Sequence, residues 1–342
     1  MGCYAFTRLK GHAAYPLAIK PLAGLQASCS FYYVYNKSMY FDVANITASI
    51  PLLLAWGLLV GLVYSTVGAA GGILASVGLI SVFGLQQPNL VKPMAQALTL
   101  VTPLIAVPLY MRQCRVVNSL ATLLGIGGII GAIIGSSLSS VWLTDMSLFK
   151  PVFAVLVFII AGQILWQLLR KPTATDEVSC TQRAAEAFEQ HMKRGGEACD
   201  IGVAHSHLSL SKIDIEFSGQ TFSFNPLLPL FTGMGIAVLS SALGVGGGFL
   251  LVPFMNIVLR LPMHIIAGTS ALAITLHSLT SIANYVRIGV ELDYALLGLM
   301  FIGVTAGSVI GPLLSRSLPD KGLRGFLMMV LFLIGFRYLG VI

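Results

Sequence analysis

Ser241–Phe254 reads SALGVGGGFLLVPF, a glycine-rich interruption inside a run that carries no charge from Phe217 to Leu259. A glycine inside an ordinary helix costs about 0.8–1 kcal/mol relative to alanine. Gly244, Gly246, Gly247 and Gly248 therefore mark a place where an apolar helix breaks. A second copy, STVGAAGGILASVG, lies upstream at Ser65–Gly78. Gly68 pairs with Gly244, Gly71 with Gly247 and Gly72 with Gly248, each 176 residues apart. Unwound segments in corresponding places of two halves are the sequence pointer to the binding site of a membrane transporter.

The composition agrees. The chain has 342 residues, 56% hydrophobic and 10% charged, with a mean hydropathy of +0.87; soluble domains carry about 25% charged residues. Charge-free runs occupy 43–91, 93–111, 116–144, 151–169, 217–259, 261–286 and 294–315. Each reaches the roughly 18–20 residues that cross a bilayer core as a helix. A shorter run, Gly325–Phe336, lies between Arg324 and Arg337, which can snorkel to the interface. The fold class expected is an all-α polytopic membrane protein. The net charge of +7 is read as Lys and Arg collected in cytoplasmic loops rather than as a nucleic-acid surface.

The offset of 176 persists beyond the breaks. Gly57 matches Gly233, Leu85 matches Leu261, and Gly127, Gly131 and Gly135 match Gly303, Gly307 and Gly311. The last set is a small-xxx-small stripe that lets a neighbouring helix approach closely. A substitution on that stripe, such as Gly131→Ala, is expected to affect transport less than one at the break. The chain divides into an N-terminal tail (1–48), a first membrane repeat (49–171), a polar linker (172–226) and a second repeat (227–342). Met39 is a possible true start. Within the linker, Thr181–Lys193 reads as a surface helix and Lys212–Asn225 as a hairpin around Ser218-Gly219. Cys180, His191, Cys199, His205 and His207 match no standard zinc spacing. The five cysteines follow no C-x-x-C pattern, so no disulfide framework is expected.

Length and charge set the topology. Pro51–Leu85 is 35 residues, roughly 52 Å as a straight helix at 1.5 Å per residue, against about 30 Å of hydrocarbon. Broken at Gly68–Gly72, it is expected to return to its starting side. Three crossings follow (93–110, 119–140 and 150–169), so the second repeat is inverted. Arg112, Arg115, Arg170, Lys171, Arg260, Arg316, Lys321 and Arg324 then share one face, against Lys92, Lys150, Arg287 and Arg337 on the other. The positive-inside rule makes the linker cytoplasmic.

A helix that begins after a glycine break aims its unpaired N–H groups into the gap and makes an anion site from backbone and dipole. One helix end supplies about 0.3–2 kcal/mol, whereas a charge at the bilayer centre costs at least about 2.5–3.5 kcal/mol. Two facing breaks and added hydroxyls are needed. The expected substrate-binding set is Gly68, Gly71, Gly72, Gly244, Gly246, Gly247 and Gly248 with Thr99, Thr269, Ser270 and His277. Gln96, Thr102, Thr275, Ser278, Ser281 and Asn284 are further polar residues on the helices after the breaks. The bland alternative for each is interhelical hydrogen-bond glue. No Asp or Glu lies inside an expected span, His277 is the only mid-span group that titrates near neutral pH, and no P-loop is present.

LGVGGGFLLVPF followed by AGTSAL (Ala267–Leu272) resembles the sulfite exporter TauE/SafE family of membrane permeases over residues 39–342. The first motif departs from the pattern at Ala69-Ala70 and Ser76-Val77. The resemblance implies a cofactor-free secondary transporter, usually an exporter, of small sulfur-containing anions such as sulfite or a sulfonate. It implies a multi-pass protein of a bacterial or archaeal cell membrane; the lipid bilayer and the anion are the partners expected. Two other classes stay open at this stage. One is a membrane-embedded hydrolase with Ser241 or Ser270 activated by His277, although no G-x-S-x-G elbow occurs. The other is a sensor or assembly subunit working through the linker.

Overall fold

The computed structural model describes residues 38–67, 71–169, 180–193, 199, 203–208, 212–315 and 320–340. Gly68, with Ala69 and Ala70, lies outside the described residues, as do Arg170, Lys171 and Arg316.

The long apolar runs are helices, as expected. A short β-hairpin, β1 (Ser38–Phe41) and β2 (Ile46–Ser49), leads into α1 (Ile50–Val67). After the break come α2 (Gly71–Val77) and a π-helical turn, Gly78–Val82. Then follow α3 (Pro88–Arg112), α4 (Asn118–Trp142) and α5 (Met146–Leu169). In the linker, α6 (Cys180–Lys193) precedes an antiparallel sheet of β3 (Val203–Leu208), β4 (Ile213–Phe217) and β5 (Gln220–Phe224). The second half repeats the order: α7 (Leu227–Leu243), α8 (Gly248–Pro253) with a π-helical turn Phe254–Val258, α9 (Met263–Arg287), α10 (Tyr294–Ser315) and α11 (Asp320–Tyr338). Five of these helices are long and apolar enough to cross a membrane: α3, α4, α5, α9 and α10.

The two π-helical turns stand 176 residues apart, and so do the starts of α4 and α10. Contacts give the chain directions. Lys92, near the start of α3, donates to the carbonyls of Ser139 (3.1 Å) and Leu143 (2.7 Å) at the end of α4. Arg115, just past α3, donates to the His264 carbonyl (2.9 Å) at the start of α9, beside Phe188 of α6. Asn284, near the end of α9, reaches Ser136 and Ser137 of α4. α3 therefore runs from the β1–β2 end to the linker end, and α9 runs the other way.

Each broken run turns back. The Trp56 indole of α1 donates to the Leu74 carbonyl of α2 (3.3 Å), and Ser81 pairs with Tyr338. In the second half, Thr181 of α6 donates to the Arg260 carbonyl just after the returning arm. The glycine stripes lie where helices touch. A Cβ on Gly131 would sit 2.1 Å from the Met234 carbonyl oxygen of α7, and one on Gly307 2.1 Å from that of Leu58 in α1. The first helix of each half thus packs on the stripe of the other half, which interlocks them.

The linker folds onto the bundle. Ile213, Ile215 and Phe217 face inward in one core with Phe188, Val117, Leu120, Met255 and Ile265. That support explains how the hairpin persists, since two strands alone are marginal in water. Two features correct the sequence reading. β3 adds a third strand, and Cys114 forms a disulfide with Cys199 that ties the α3–α4 connection to the linker. Cysteine spacing gave no sign of it because the partners are 85 residues apart and meet only when the linker docks.

Candidate functional site

The second break packs against the start of α2, the arm that follows the first break. α7 ends at Gly244 (φ +75°), the chain passes through Gly246 (φ +81°), and Gly247 (φ +52°) precedes α8. These left-handed values favour glycine because an L side chain there clashes with its own backbone. From the other half, Gly72 comes so close that a Cβ on it would lie 1.7 Å from the Val245 carbonyl oxygen. Ser76 donates to the Gly244 carbonyl (3.4 Å). Gly71 is packed against the Tyr64 ring.

Around this crossing the polar groups are buried and, among the described residues, incompletely paired. The amides of Gly246 and Gly247 donate to no acceptor among the described residues, whereas Gly244 and Val245 both bond the Ser240 carbonyl. Thr99 borders Gly246, its Oγ1 2.9 Å from where a Cβ would stand, and it donates to the Gln96 carbonyl. Gln96 uses Nε2 on the Ser240 carbonyl (3.0 Å) and leaves Oε1 without a partner. The His277 ring lies over Gly247, with Nε2 2.6 Å and Ser240 Oγ 3.4 Å from the position of a Cβ. Among the described residues, both imidazole nitrogens and the Ser240 hydroxyl beside Gly247 are buried without a hydrogen-bond partner, as are the hydroxyls of Ser241 on α7 and of Ser278 and Ser281 on α9. In folded proteins most buried polar atoms are paired, so a cluster of unpaired ones calls for an explanation.

The expected residues therefore separate. Gly72, Gly244, Gly246, Gly247, Gly248, Thr99 and His277 come together. Thr269 does not join them, because its Oγ1 accepts from the Val117 amide (3.1 Å) and fastens α9 to the start of α4. Ser270 donates to Ala267 and lines a separate cavity of about 290 Å³ with Tyr64, Thr66, Thr102, Tyr110 and Met263. Asn284 is held by two serines of α4, which is the glue reading, whereas Thr275 bonds the Ala271 carbonyl of its own helix. Ser240 was not singled out from sequence. Its one signal is position, the last turn before Gly244, where a hydroxyl reaches the gap. Lys92 was read as a loop charge but is fully buried. Its three N–H groups go to Asn89, Ser139 and Leu143, so it serves the open carbonyls of α4.

Membrane-length helices and interlocked halves around a buried polar crossing define a multi-pass membrane protein. The sulfite exporter TauE/SafE family matches residues 53–338. The chain belongs to that family. It is also similar to the "Probable membrane transporter protein YunE" of Bacillus subtilis (strain 168), 22% identical over 294 residues that cover 84% of this chain and 96% of the relative. No solved structure matches.

Proposed function

We propose that the chain is a secondary carrier that exports small sulfur-containing anions, sulfite or an organosulfonate, and binds them at the crossing of the two glycine breaks. The observation that carries this reading is the coincidence around Gly247, among the described residues, of two glycine amides without an acceptor and buried hydroxyl and imidazole groups without a partner. An oxyanion has several acceptor oxygens and matches a ring of N–H and O–H donors. Backbone donors also bring an anion no permanent counter-charge, which lets it leave again.

The opposite directions of α3 and α9, and the exchange of α1 and α7 between halves, support two inverted copies related by a two-fold axis in the membrane plane. Arg112, Arg115, Arg183, Lys212 and Arg260 lie at the linker end, whereas Lys150, Arg287 and Arg337 lie at the other. That bias supports a cytoplasmic linker in a cell membrane of bacterial or archaeal type. A hydrolase is the weaker reading. His277 Nδ1 has no partner, and a nucleophile's base needs a third group to orient it.

The test is flux. Proteoliposomes loaded with radiolabelled sulfite should release it faster than protein-free vesicles, and excess methanesulfonate outside should compete. Release no faster than from empty vesicles for sulfite, sulfate and methanesulfonate alike would remove the carrier reading.

A further inference from the structure

We propose that the anion crosses together with a proton and that His277 is the residue that takes this proton up. The inference rests on the carrier reading above and adds its coupling: export then runs down the anion's own concentration gradient, one proton leaving beside each anion. The imidazole is 1% exposed, and neither ring nitrogen has a partner. A histidine kept only for packing ties down at least one of them in most interiors. Its back is fixed, since Gly128 of α4 leaves just 3.2 Å between its own Cβ position and that of His277. Its tip, Nε2 and Cε1, is the part that faces Gly247. The unpaired edge of the ring thus lies directly beside the Gly247 backbone.

Among the described residues, the groups around the crossing contain no carboxylate. α9 itself contributes Ser278, Ser281 and Tyr285, whose hydroxyl donates to the Ser241 carbonyl. α7 contributes Ser240 and Ser241, α4 contributes Ser136 and Ser139, and α1 contributes Tyr64. α3 contributes Gln96, Thr99 and Lys92. Lys92 is the one lysine or arginine among them, and its three N–H groups are taken by Asn89 of its own helix and by the Ser139 and Leu143 carbonyls at the end of α4. Within this set His277 is the side chain that can take up or release a proton without giving up a hydrogen bond of its own.

An anion arriving alone would leave a net negative charge in the middle of the membrane, where single charges are costly. One proton on the imidazole cancels a monoanion. It also converts both ring nitrogens into donors, so Nε2 can bond the anion directly. The cycle balances: neutral His277, one proton and one monoanion combine on one side, and the same three separate on the other. A sulfonate, the anion of a strong acid, must draw that proton from water through His277. Hydrogen sulfite obeys the same count.

Methanesulfonate is the probe because it stays an anion throughout the working pH range. In proteoliposomes of the full chain, with the membrane potential clamped at zero, a pH gradient alone should drive methanesulfonate to the alkaline side. A 1:1 coupling gives about tenfold accumulation per pH unit. His277→Gln keeps the size and an amide donor but cannot take up a proton, so it should lose both the accumulation and the proton uptake that accompanies anion binding. An independent reading on the unmutated protein in detergent near pH 7.5 should show roughly one proton taken up per anion bound. Downhill flux that ignores the pH gradient, binding without proton uptake, or full accumulation by His277→Gln would each overturn the proposal and leave the carrier standing. Absence of both binding and flux would overturn the carrier reading and this inference with it.

Discussion

Replacing Gly247 with alanine adds one methyl group at the turn on which the site depends. Two costs can be read from the structure. The backbone sits at φ +52°, where an L residue loses about 1–2 kcal/mol. The new Cβ would also lie 2.6 and 2.7 Å from His277 Nε2 and Cε1, so the ring tip must swing away from the gap. Domains are typically stable by about 5–15 kcal/mol, and the obstructing atoms belong to a side chain, so the variant folds. The loss falls on the anion, whose donors are displaced. A penalty of about 1.4 kcal/mol is a factor of ten in affinity, and sulfite flux at low concentration should fall about tenfold or more. Gly235→Ala is the control: it lies on α7 with nothing within 4 Å of its Cβ position. Gly131→Ala, suggested by sequence as the milder change, is not a control, because its Cβ would strike the Met234 backbone at 2.1 Å. The assay is sulfite uptake into vesicles, normalised to monodisperse protein. If Gly247→Ala gives normal yield and normal uptake, the reasoning about the break is wrong.

The other expectations concern the frame. Gly72→Ala should fold poorly, because its Cβ would overlap the Val245 carbonyl, which is backbone and cannot yield; a normal elution profile in detergent would contradict the packing of α2 against the second break. Lys92→Met leaves the Ser139 and Leu143 carbonyls without their donor and should cost about 1–3 kcal/mol, read as a lower Tm; an unchanged Tm would show that these carbonyls are served otherwise. A cysteine at exposed Thr221 in β5 should react with an impermeant maleimide only after cells are permeabilised, and labelling of intact cells would place the linker outside. If the linker is cytoplasmic, Cys114 and Cys199 should be largely trapped as free thiols by alkylation before lysis, because cytosolic disulfides are short-lived; a quantitative disulfide in growing cells would argue for the opposite orientation.

The architecture was legible because it is written locally and twice. Glycine runs, charge-free lengths and the 176-residue offset depend on composition along the chain, and they locate the breaks, the crossings and the stripes that join the halves. Features set by contacts between distant elements were not legible. Lys92 looks like a loop charge until the end of α4 arrives with two free carbonyls. Cys114 and Cys199 look unrelated until the linker docks. The site was half legible for the same reason. His277 and Thr99 stand out by residue type, but only the packing separates them from Thr269, whose hydroxyl is occupied by the Val117 amide. Ser240 becomes visible as a site residue only once Gly247 and His277 close around it.

The central claim is a place, so the most direct measurement is where the anion sits. Crystals or grids of the full chain with selenite, a heavier analogue of sulfite, would locate it, in crystals by the anomalous signal of selenium. The account predicts density at the crossing, with oxygens about 2.7–3.2 Å from the Gly246 and Gly247 amides and from Ser240 or His277. Density confined to the cavity between Tyr110 and Met263, with Gly246, Gly247 and His277 unengaged, would contradict it.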